Sequence, residues 1–124
     1  ERVLLDESDA DIDAVFDRRW ATAVLDEAMR RCETYCREND LLHHWEVFSD
    51  QVVRPAMTGS ERPVLRDLAK RHGFASAAHV ASATKVVRKR LRMLIREVIA
   101  ETAGDDDSLQ AEYEYLASLL GQQP

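Results

Sequence analysis

The chain has 124 residues, 45% of them hydrophobic and 32% charged, a net charge of −6, and only four glycines and three prolines. That length suits one domain with a single core, and the composition suits a soluble, helix-rich protein while leaving too little punctuation for an all-β fold. No apolar run nears the roughly 20 residues needed to cross a bilayer and no leader pattern is visible, so no membrane partner is expected; a start at Glu1 without methionine reads as a piece of a longer product.

Residues 1–13 are acidic and poor in large apolar groups, and read as a mobile lead-in to a single helical domain over 14–120, with 121–124 as a tail. From Ala14 to about Arg37, apolar steps of three and four (Phe16, Trp20, Ala23, Val24, Ala28, Cys32, Tyr35) predict a first helix, with Asp13 as N-cap and Asn39 as a left-handed stop. A second is expected from Leu41 to Val53, burying Leu41, Leu42, Trp45, Phe48, Val52 and Val53; Arg54-Pro55 argues against a further turn and Thr58-Gly59-Ser60 marks a loop. A third begins near Glu61–Pro63, capped by Ser60, turns Val64, Leu65, Leu68 and Ala69 inward, and stops at Gly73. Ser76 caps a long fourth helix from Ala77 to about Ala103, whose seam is Val80, Ala83, Val87, Leu91, Leu94 and Val98. Asp105–Asp107 introduces a last helix, Ser108 to about Leu120, through Leu109, Tyr113, Leu116 and Leu120. The expected fold is all-α, about five helices with a helix-turn-helix between Val64 and about Ile99.

Charge is sorted along this chain. Residues 62–96 hold ten Lys/Arg against one acid, Asp67, a net of +9; residues 1–61 carry a net of −8 and residues 97–124 a net of −7. A surface that meets a polyanion sorts charge this way. In a helix-turn-helix the second helix enters the major groove by its first turns, here Ser76, Ala77, Ala78, His79, Ala81, Ser82 and Lys85. These residues are small or polar and let the backbone approach closely, while Lys85, Arg88, Lys89 and Arg92 suit phosphates or guanine edges. Six residues separate Gly73 from Val80, a wider turn than the tightest motifs use, and the alanines at 77, 78 and 81 leave few side chains to reach bases.

Four segments in order, FDRRWATAVLDEAMRR (16–31), WEVF (45–48), LAKRHGF (68–74) and VVRKRLRMLIREVIAET (86–102), resemble region 4 of bacterial RNA polymerase sigma factors of the extracytoplasmic-function type, in the form found in planctomycete sigma-related proteins. The resemblance spans roughly 14–120. It implies a transcription-initiation factor that recognises a promoter −35-type element in double-stranded DNA, docks to the RNA polymerase core, works in the cytoplasm without a cofactor, and contacts DNA through His79, Ser82, Lys85, Arg88, Lys89 and Arg92. The aromatic and basic region 2 that melts promoters in such factors does not precede it in this sequence.

Other constellations point elsewhere. Cys32, Cys36, His43 and His44 match no common zinc-finger spacing, and the cysteines sit by the apolar seam, so they read as core residues in a reducing compartment; no metal is assigned. Trp20, Trp45, Phe16 and Phe48 read as the core joining the first two helices rather than a ligand pocket. No phosphate-cradling glycine loop and no nucleophile elbow is present, so no enzyme is expected. The alternative function is a sigma-like fold reused as a protein-interaction or regulatory adaptor without DNA binding, a regulatory protein as its partner and the acids of 105–114 laid over Arg88–Arg96.

Overall fold

The computed structural model describes residues 22–102, which are helical with no strand among them. Helix α1 (Thr22–Glu38) buries Val24, Leu25, Ala28, Cys32 and Cys36, one stripe at helical spacing. Off that stripe lie Glu27 with Arg30 and Arg31, and Glu33 with Arg37, at the three- and four-residue spacings where side chains meet. The Leu41 N–H closes the helix on the Cys36 carbonyl at 2.7 Å. The left-handed residue is Asp40 (φ 60°), not Asn39, whose side-chain amide instead donates to the Tyr35 carbonyl at 2.8 Å. A short polar side chain tolerates that conformation, so either residue could have served.

Helix α2 (Leu42–Phe48) passes through a π turn (Ser49–Val53) into α3 (Arg54–Thr58), all one rod. The stop expected at Arg54-Pro55 therefore does not occur. Proline in a regular helix loses a hydrogen bond and strikes the carbonyl four residues back; the wider π turn just before it opens that spacing and accommodates Pro55 within the rod. The rod ends at Gly59 (φ 75°), whose N–H donates to the Pro55 carbonyl.

Helix α4 (Leu65–His72) starts later than expected. Proline at 63 disfavours helical backbone at Arg62, Val64 is extended (ψ 152°), and the Ser60 hydroxyl shares a hydrogen bond with Thr58 rather than capping α4. Val64 consequently stands 55% exposed instead of facing inward. Gly73 (φ 76°) ends α4 as expected, with the Phe74 N–H on the Ala69 carbonyl at 2.8 Å. Helix α5 (Ala77–Thr102) is capped as expected: the His79 N–H donates to Ser76 Oγ at 3.3 Å. At 1.5 Å per residue it runs about 39 Å.

Two apolar clusters sit along α5. The larger joins α1, Trp45, Phe48, Val52 and Val53 to Val87, Leu91, Leu94, Ile95 and Val98; the smaller joins Val47, Leu68 and Ala69 to Val80 and Ala83, with Leu65 and Phe74 packed against it. All six expected seam residues of α5 are buried. The part of the first helix before residue 22 and the whole of the helix expected at 108–120 lie outside the described residues. No helix among the described residues is long and apolar enough to cross a membrane.

Candidate nucleic-acid interface

The charge-bearing unit is α4, the turn Gly73–Ser76, and the first half of α5. Gly73 supplies the left-handed turn, Phe74 plugs the small cluster, and Ser76 starts α5. Because Val80, Ala83, Thr84 and Val87 face the core, helical geometry sends 78, 82, 85 and 89 to the opposite side. Ala78, His79, Ala81, Ser82, Lys85, Val86 and Lys89 are all exposed, and Arg92 is half-buried at the edge. Five of the six expected contact residues (His79, Ser82, Lys85, Lys89, Arg92) thus lie on or beside one outward face. His79 also has local work, its Nδ1 lying 3.1 Å from Ser76 Oγ.

Arg88 is the correction. It is 6% exposed, donates to Thr84 Oγ1 (3.0 Å) and Gln51 Oε1 (3.2 Å), and lies 5.5 Å from the Phe48 ring centroid. A guanidinium tied to α2's continuation and stacked on an aromatic ring is a strut between the clusters, not a phosphate contact. Thr84 and Arg88 lie beside the seam at i, i+4, one position from Ala83 and Val87, but the partner that buries the guanidinium, Gln51, is distant in sequence.

Sequence reasoning also passed over Asp50. The π turn brings it, 9% exposed, under α4, where it accepts from Arg54 Nη1 (2.6 Å), Arg71 Nη1 (3.3 Å) and His72 Nε2 (2.8 Å). Burial works against its ionisation, but the hydrogen bonds from His72 and Arg71 outweigh that and hold its pKa below the usual 3.8. His43 Nε2 donates to the His72 carbonyl at 2.6 Å, and its ring meets Phe74 edge-on. These bonds fix the end of α4 and hence the turn into α5. A shallow, mostly apolar cleft of about 430 Å³ lies beside the turn, lined by His44, Phe74, His79, Ser82 and Val86 among others.

Cys32 and Cys36 are buried free thiols in the α1 seam, as read from their spacing. The Cys32 thiol bonds toward Cys36, which raises the first pKa and lowers the second; burial also raises that of Cys32. The Arg90 guanidinium lies 3.9 Å over the Tyr35 ring on the same side of the helix pair. Among the described residues, no group of three or more His, Cys, Asp or Glu side chains is placed to hold a metal ion.

Comparison with protein-family models, with curated proteins and with solved structures returned no match.

Proposed function

We propose that α4 and α5 form a helix-turn-helix that binds double-stranded DNA, and that the chain is the region 4-like domain of a cytoplasmic sigma-type initiation factor which also docks to the RNA polymerase core. One observation carries the DNA reading: the most basic stretch of an acidic chain presents Ser82, Lys85 and Lys89 in a row along the exposed side of a capped helix. Lysines on such a face displace counterions from phosphates, and the small residues around them let the helix approach the groove floor. The four sigma-like sequence segments support the particular class, with polymerase docking assigned to the domain's other faces. The mechanism is non-covalent: electrostatic capture, then insertion of the first turns of α5. No catalytic step belongs to it.

The test is fluorescence anisotropy with random-sequence duplex DNA at two salt concentrations. Affinity should fall steeply with salt, and Lys85→Ala with Lys89→Ala should weaken binding to all sequences and flatten the log–log salt slope by about 1 per lysine. A double variant with unchanged affinity and slope would remove both residues from the interface. An adaptor without DNA binding would show no affinity even at low salt.

A further inference from the structure

The exposed side of the first three turns of α5 is half apolar. Ala78 and Ala81 are exposed, and Val86, 44% exposed, stands at the shoulder next to His79, on the rim of the apolar cleft by Phe74. The polar groups on this face are Ser82, Lys85 and the Nε2 edge of His79, whose Nδ1 is engaged with Ser76. In the major groove one base-pair feature rewards an apolar side chain, the C5-methyl of thymine. Exposed methyl groups beside Ser82 and the two lysines therefore fit a duplex rich in such methyls.

We infer that Ala78, Ala81 and Val86 read thymine methyl groups, so that the preferred ligand of this face is an A·T-rich major groove held at its phosphates by Lys85 and Lys89. The inference rests on the DNA-binding reading above. From Ala78 to Val86 the helix rises about 12 Å, which spans three to four base steps of 3.4 Å. The alanines lie in the turns that enter deepest; a longer side chain there would hold the backbone away. Val86 follows two turns later, where the helix axis leaves the groove floor and a larger apolar group is needed to reach a methyl. Charge complementarity supplies attraction for any sequence, and the methyl contacts supply the difference between sequences.

The experiment selects bound duplexes from a random pool with the full chain, then compares the enriched duplex made with thymine against the same duplex made with uracil, which lacks only the methyl. Enrichment in A·T pairs is expected, with the uracil form bound about fourfold more weakly for each methyl buried. Val86→Ser and Ala81→Ser, both at exposed positions, should bring the thymine and uracil forms closer together and leave the salt slope unchanged. Equal binding of the two forms, or enrichment in G·C pairs, overturns the inference while leaving DNA binding intact. No binding to any duplex at low salt rejects the DNA reading and this inference with it.

Discussion

From Val87 to Val98, α5 buries Val87, Leu91, Leu94, Ile95 and Val98 in a cluster shared with α1 and with the α2 rod; from Ala77 to Val86 it buries only Val80, Ala83 and Thr84, and its small apolar cluster is shared with α4 and Val47 of α2. The helical period is the same in both halves. What differs is the partner: α1 is 17 residues long and buries Val24, Leu25, Ala28, Cys32 and Cys36, α4 is only eight and buries Leu68 and Ala69. The end with less apolar contact is held by polar links instead, Asp50 to Arg71 and His72, and His43 to the His72 carbonyl. Burial is tolerant of angle whereas hydrogen bonds are directional, so the presenting end is aimed by its polar links and the anchoring end is made stable by apolar area.

The largest effect that tests this contrast is a cavity in the anchor. Ile95→Ala should cost about 2–5 kcal/mol of unfolding free energy, read from urea denaturation. Leu68→Ala, in the smaller cluster, should fall in the same range, but its damage should be local. Hydrogen exchange should rise in α4 and the following turn and stay low in α1. An equal rise in α1 would show that the two clusters open together.

A smaller loss, about 1–3 kcal/mol, is expected for Arg88→Ala, because the Gln51 and Thr84 oxygens then lose a buried donor. DNA affinity measured where the variant remains folded should not change, in contrast to Lys89→Ala one residue later. A loss of affinity with unchanged stability would return Arg88 to the interface.

Arg88 also marks the boundary of what could be read without coordinates. The α5 seam, the Gly73 stop, the Ser76 cap and the paired cysteines follow from apolar spacing and local capping chemistry, which depend on neighbours a few residues away. The buried Arg88 and Asp50 do not follow, because a charged side chain reads as solvent-facing until its partners are known, and Gln51 lies 37 residues from Arg88 and His72 lies 22 from Asp50. The continuation through Pro55 was hidden for a related reason. A π turn has no composition signature of its own, and proline ordinarily argues against it. Of the outward face, the periodicity revealed which residues lie off the seam, but not that Val86 would stand beside a cleft formed with His44 and Phe74.

Asp50→Asn keeps the shape and removes the charge that holds Arg71 and His72. It should destabilise the chain by about 1–3 kcal/mol near neutral pH, and weaken DNA binding more than its distance from the exposed face suggests. The sign of its pH dependence follows from a folded pKa below the ordinary value. The contribution is complete above the unfolded value of 3.8 and fades as pH drops through the folded one, so the gap between wild type and Asp50→Asn should close under acid. A gap that stayed open below the folded value would mean that packing, not charge, is what Asn disturbs.

The smallest effect concerns a half-exposed ionic tie from α1 to α5, Arg31 with Glu101 at 2.7 Å and Glu97 at 3.9 Å, alongside its own-helix partner Glu27. Hydrogen bonds from Arg30 and then Arg31 draw the Glu27 pKa from 4.5 to about 2, and Arg31 lowers that of Glu101 as well. Both carboxylates therefore add stability that is complete above pH 4.5 and is lost as pH falls toward their folded values. Arg31→Gln should remove the Glu101 share entirely and leave the part of the Glu27 share that Arg30 provides. Glu101 is about half-exposed, so solvent and salt screen this tie heavily. In urea titrations the wild-type advantage over Arg31→Gln should be slight at neutral pH, shrink between pH 4.5 and 2, and shrink also with added salt. An advantage insensitive to both would place the role of Arg31 in the packing of its aliphatic stem against α5 rather than in its charge.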